Sequence, residues 1–168
     1  MTISRKQQEV EERELLSAVL KSVGDDLLET KFIEKPDFPD YHETTWLHLF
    51  QRGLLEDMGQ KGMQTFTMTP IGWILALHVT NQINDPLFVD RLSHVCAAAK
   101  RELANDRSTF AICRLETLAL EAHVPEDWLA NAIEAKLIEH KFKQVGIRRS
   151  EERGSVFIPQ DVGHKLIS

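Results

Sequence analysis

Three arginines stand close together in Gly146-Ile147-Arg148-Arg149-Ser150-Glu151-Glu152-Arg153-Gly154, a glycine-bounded stretch that reads as a long, flexible hairpin tip. A guanidinium on such a tip pairs with phosphate oxygens or enters a narrow groove lined by them. Lys141 and Lys143 are two residues apart, so a strand leading into the tip would carry both on one face. Residues 136–153 hold six basic groups, from Lys136 to Arg153, against Glu139, Glu151 and Glu152. The whole chain carries a formal charge of -6, so this local excess runs against the bulk. Glu151 and Glu152 are the groups that could neutralise the arginines from within the tip.

Nothing else in the chain is arranged for chemistry. There is no Gly-rich phosphate loop, no Gly-x-Ser-x-Gly and no Cys-x-x-Cys. The seven histidines are scattered. His94 and Cys96 are two apart, which on a helix sends them to different sides. A metal site needs several convergent ligands, so neither a metal nor another cofactor is expected, and neither is an enzyme. Cys96 and Cys113 sit in apolar helical patterns and read as buried free thiols.

The elements that would position the arginines follow from periodicity. Glu9 to Glu29 carries Leu16, Leu20, Val23 and Leu27 at helical spacing, and Gly24 weakens that helix without ending it. Pro36 and Pro39 exclude a helix interior between Lys35 and Asp40. Asp40 with Glu43 three residues on reads as a capping box for a helix from Tyr41 to Leu54. Thr69-Pro70 and Asp85-Pro86 are helix starts, opening helices to Ile83 and to Ala104. The first of these is apolar on more than one side and should be buried on two faces. Two more helices are expected over Thr109–Ala122 and Glu126–Glu139, joined by the turn His123-Val124-Pro125.

The chain also repeats itself. Leu49 to Leu77 and Ala132 to Ile167 each run helix, double apolar step (Leu54-Leu55, Leu137-Ile138), strand, Gly-containing turn and strand. Each closes on Pro and Gly, at Pro70 and Gly72 and at Pro159 and Gly163. The expected fold is mostly α with small β-hairpin wings, an α+β chain of two winged-helix-like modules, residues 1–83 and 84–168, with a helical linker between them.

The stretch LETLALEAHVPEDWLANAIEAKLIEH, with the hairpin after it, resembles the winged-helix superfamily of bacterial transcription regulators. Ala119 is small where two helices cross, Val124 plugs the turn, and Ile133 and Leu137 face inward. In the first half, TMTPIGW is similar to the exit from the wing in such proteins, and the resemblance spans about two-thirds of the chain. It implies a regulator that binds duplex DNA. The doubly apolar helix after Thr69-Pro70 points to a dimer, and the lack of an apolar run long enough to span a bilayer to a cytoplasmic protein with no membrane segment.

The outward positions of the Glu126–Glu139 helix complicate that picture. They are Glu126, Asp127, Ala130, Asn131 and Glu134, three of them acidic, and phosphates would oppose those. Asn131 is the one group there suited to adenine. On the first module's helix the outward residues are His42, Glu43, Thr45, His48, Gln51 and Arg52, of which Gln51 and Arg52 suit bases or phosphates. The DNA-binding set is thus Lys141, Lys143, Arg148, Arg149, Arg153, Asn131, Gln51 and Arg52, with the second wing in the lead. The competing expectation is a protein-interaction adaptor or complex subunit that uses the acidic faces of tandem winged helices.

Overall fold

The computed structural model describes residues 3–24, 27–29, 31–59, 64–105, 110–142 and 146–159. Two compact units divide the chain between Ile83 and Asn84. Each has an antiparallel three-stranded sheet whose first strand pairs with its last. Lys143, Thr109 and Gly163 lie outside the described residues.

The first unit opens with α1 (Arg5–Val23). Its start is a capping box: Gln7 N–H donates to Ser4 Oγ at 3.2 Å and Ser4 N–H donates to Gln7 Oε1 at 3.0 Å. Leu15, Leu16, Val19, Leu20 and Val23 form its buried stripe. The helix stops at Gly24, against the expectation that it continues to Glu29. Gly24 has φ 99°, a conformation that breaks the ladder and that glycine adopts without a Cβ penalty.

β1 (Ile33–Glu34) leads through a 3-10 turn at Lys35–Asp37 to α2 (Glu43–Gln51). The expected Asp40 cap is not used. The N-cap is His42, whose side chain makes no capping bond. Glu11 of α1 supplies the missing acceptor: His42 N–H donates to Glu11 Oε1 at 2.7 Å and Thr45 Oγ1 donates to Glu11 Oε2 at 3.0 Å. Thr45, expected to face outward, is therefore buried.

Glu11 is only 14% exposed. Burial works against its charge, but the backbone and side-chain hydrogen bonds of His42, and that of Thr45, outweigh it and hold the carboxyl below its ordinary range. Glu11→Ala is expected to cost about 1–2 kcal/mol, the worth of a lost cap and a buried hydroxyl left without its acceptor. The folded pKa is lowered, so this stabilisation is present above the unfolded carboxylate range and is lost as pH falls through the folded value. Urea titrations at neutral and acidic pH check it: the gap between wild type and Glu11→Ala should close in acid.

α2 is followed by β2 (Leu55–Asp57), β3 (Thr65–Met68) and α3 (Pro70–Val79). Ile33 pairs with Phe66 and Leu55 with Met68, which places β3 in the centre of the sheet. Phe66 meets Trp46 edge-on at 5.2 Å and Phe50 at 6.1 Å, and these rings are the heart of the core. α3 starts as expected, with Thr69 Oγ1 accepting from Gly72 N–H at 3.1 Å and Pro70 at the first helical position. Only one of its faces is buried, through Gly72, Trp73, Ala76 and Leu77. Ile74, Leu75 and Val79 are half-buried, and Ile71 remains 62% exposed.

The second unit begins with α4 (Pro86–Asn105), capped by Asp85 Oδ1, which accepts from Leu87 N–H at 3.0 Å. α4 packs against the rest of this unit through Phe88, Leu92, Val95, Cys96 and Ala99. The helix expected from Thr109 begins only at Leu115. Phe110–Arg114 is a strand, β4, and α5 runs Leu115–Ala122. β4 exists because β6 (Ser155–Pro159) pairs along its whole length, from Phe110 opposite Pro159 to Arg114 opposite Ser155.

The turn between α5 and α6 (Glu126–Glu134) behaves as read. His123 takes φ 56° and Val124 N–H donates to Ala119 O at 3.1 Å, sealing a corner in which Ala119, Ala122 and Val124 are buried. Trp128 of α6 packs edge-on against Phe88 at 5.7 Å, with the Arg91 guanidinium over its ring at 5.4 Å. α6 ends at Glu134, five residues before the expected Glu139. Lys136 has φ 55°, and its N–H donates to Ile133 O at 3.0 Å, turning the chain so that Leu137 and Ile138 enter the core at the head of a short helix, α7 (Leu137–Phe142). β5 (Arg148–Arg149) then pairs with β6.

Candidate nucleic-acid interface

The second wing is shorter than a long tip, and its turn is internally hydrogen-bonded. Ile147 is buried, and Arg148 and Arg149 belong to β5, opposite Phe157 and Val156. Only Ser150 to Gly154 forms the turn. Ser150 N–H donates to Ser155 O at 3.0 Å, Ser155 N–H to Glu152 O at 3.1 Å, and Glu152 N–H to Ser150 Oγ at 3.2 Å. Gly154 closes it at φ 78°.

Arg148, Arg149 and Arg153 are all exposed. Among the described residues, no carboxylate lies within ion-pair distance of any of the three, Glu151 and Glu152 included. Arg148 lies over the Phe157 ring, its guanidinium carbon 4.6 Å from the centroid. Strand alternation sends Arg149 to the opposite face of the sheet, and Arg153 projects from the turn.

The other sequence candidates separate. Lys141 is on α7 rather than on a strand, and its ammonium donates to Asn84 Oδ1 at 2.9 Å. Lys143 lies outside the described residues, so the expected two-lysine strand face has no counterpart at Lys141. Asn131 is half-buried on α6, while Glu126, Asp127 and Glu134 are exposed on that helix. A duplex groove approached by α6 would meet those carboxylates first. In the first unit Gln51 is exposed, but Arg52 is engaged by Glu12, with Nη1 to Oε2 at 3.4 Å. Glu12 also contacts His48 Nδ1, so this carboxylate, 6% exposed, engages both His48 on α2 and Arg52 just beyond its end. Among the described residues, no three His, Cys, Asp or Glu side chains converge to hold a metal, and no helix is long and apolar enough to cross a membrane.

Residues that periodicity overlooked complete the wing. The outer face of the sheet carries Phe110, Ile112 and Arg114 on β4, Phe157 on β6 and Arg148 on β5. Their signal was the alternation in Phe-Ala-Ile-Cys-Arg, which an extended α5 stripe masked.

A carboxyl pair lies between α4 and α5. Glu102 is hydrogen-bonded to Glu121, and that bond, with burial and the charge of Glu121, raises it to about 7, Arg101 opposing. Cys96 is buried as expected, whereas Cys113 is half-buried on β4 and not in a helix. Burial, reinforced by the same two carboxylates, pushes Cys113 up to about 12, and burial alone does the same for Cys96, which favours the protonated thiol at both. A raised folded pKa binds extra protons in the native state. Its stabilisation is complete below the ordinary carboxylate range and is lost as pH rises through about 7. Glu102→Gln keeps a donor for Glu121 without an ionisation. The variant is expected to gain about 2–4 °C in Tm on wild type between acid and mildly alkaline buffers, read by thermal melts across that range.

No family model, curated protein or solved structure matches this chain.

Proposed function

We propose that the chain binds duplex DNA through its second wing and acts as a regulator of transcription. The observation that carries this is the three exposed guanidinium groups on one short hairpin, none neutralised by a carboxylate of the described residues. In this reading the wing leads. Arg148, Arg149 and Arg153 contact phosphates or enter a narrow minor groove. The acidic outer positions of α6 keep that helix from a deep major-groove docking, so sequence preference rests on groove shape more than on base edges. The net charge of -6 makes the contact local and strongly salt-sensitive.

A titration of labelled duplex at about 50 and about 200 mM salt tests it. Three neutralised phosphates correspond to a fall in affinity of about 40-fold over that range. Absence of binding at the lower salt would remove the reading.

A second reading, an adaptor or complex subunit, is favoured by one feature. Ile71 on α3 is 62% exposed beside a helix that is otherwise apolar. A soluble partner or a second copy of the chain would cover it. Light scattering of the purified protein, compared with Ile71→Gln, distinguishes these from a bare monomer.

A further inference from the structure

We infer that the outer face of the second sheet binds unpaired bases of a DNA strand, next to the duplex that the wing arginines hold; the inference rests on the nucleic-acid reading above. The register lines up Ile112, Phe157 and Arg148 across the three strands in a single row. Phe110 lies against Phe157 with ring centroids 5.1 Å apart, and Arg148 covers Phe157 at 4.6 Å. Phe110 is 39% exposed and Ile112 45%, whereas Ala111, Val156 and Ile158, on the other face, are buried. The result is a strip in which Phe110, Ile112 and Arg148 are exposed and Phe157 is half-buried between them.

Its charge selects the occupant. At the strand positions of this face the only ionisable side chains are Arg114 and Arg148, both exposed and both basic. Planar aromatic surface edged by arginine, with no carboxylate at its described strand positions, complements a base with its phosphate: the ring stacks, the guanidinium stacks or pairs. Duplex DNA cannot use such a surface, because its base faces are already stacked on one another. A strand with unpaired bases can, and three antiparallel strands offer a flat platform for it. The wing turn adjoins this platform through β5 and β6, so a junction of duplex and single strand would meet arginines on the hairpin and rings on the sheet.

The test uses the full chain and three labelled probes: a thymidine-only oligonucleotide, an abasic oligonucleotide of the same length, and a hairpin duplex. The variant is Phe110→Leu with Phe157→Leu, which keeps apolar bulk in the sheet while removing both rings; circular dichroism and melting confirm that it folds. Wild type is expected to bind the thymidine probe about tenfold more tightly than the abasic one, and the variant should lose that preference. Duplex affinity should stay within about twofold, since each stacked base contributes only to the single strand. Equal affinity for thymidine and abasic probes overturns the platform. So does an unchanged preference in the double variant, or a wild-type dimer that dissociates in it, which would assign the face to a second copy. Duplex binding that fails while the thymidine preference persists counts against the duplex reading alone.

Discussion

Gly72→Ala is expected to destabilise the first unit by about 3 kcal/mol or more, lowering its melting temperature by about 10 °C. Intrinsic helix propensity predicts the reverse, since alanine is better than glycine inside a helix by about 1 kcal/mol. Packing reverses the sign. A Cβ on Gly72 would stand 2.1 Å from Leu54 O, 2.8 Å from Met68 Cγ and 3.0 Å from Leu54 C. The Met68 side chain can yield. Leu54 O cannot, because it accepts the Thr69 N–H at 3.1 Å, and Thr69 in turn caps α3 and donates from Oγ1 to Gly53 O. Moving the carbonyl breaks the bond that ties the end of α2 to the start of α3. Moving the helix disturbs Trp73, Ala76 and Leu77, all buried. Urea denaturation followed by tryptophan fluorescence reads the outcome directly, as Trp46 and Trp73 both lie in this core. A Gly72→Ala protein as stable as wild type would mean that α3 does not approach Leu54 this closely.

Replacing Arg148, Arg149 and Arg153 together with Ala is expected to reduce duplex affinity at low salt by about 10²–10³-fold and to flatten its salt dependence. Each phosphate neutralised releases condensed counterion, so three lost contacts lower the slope of log affinity against log salt by about 2.7. The side chains lie outside the core, so the fold should tolerate the change; Arg148 gives up its contact with Phe157, worth about 0.5–1 kcal/mol at an exposed site. The triple Lys variant separates charge from geometry. If phosphate contact alone matters, Lys restores most of the slope; if a narrow groove is being entered, Lys restores less, since its more strongly hydrated ammonium is costlier to insert. Fluorescence anisotropy at several salt concentrations distinguishes these results. Unchanged duplex affinity in the triple Ala variant would exclude the wing as the contact.

Much of the scaffold was legible in local sequence. Thr69-Pro70 and Asp85-Pro86 opened helices where the capping rules place them, and His123-Val124-Pro125 made the turn that Ala119 has room for. These signals act over three or four residues, so the chain states them without help from its fold. The arginines were likewise legible as a group, because their spacing and glycine borders lie within one hairpin.

What escaped local reading depended on distant partners. β4 looked like the front of α5 until β6 supplied its hydrogen bonds, and with the strand came the outer face that holds Phe110, Ile112 and Phe157. The cap of α2 comes from Glu11, 31 residues upstream of His42, and it displaces the adjacent Asp40. Lys136 breaks a continuous apolar stripe because turning the chain there buries Leu137 and Ile138 as α7. Sequence alone determined where α3 and α4 start, where the α5–α6 corner turns and where positive charge collects. Tertiary structure decided which faces those elements show, because a strand's pairing or a carboxylate's cap has value only once chain closure has brought its partner within a few ångströms.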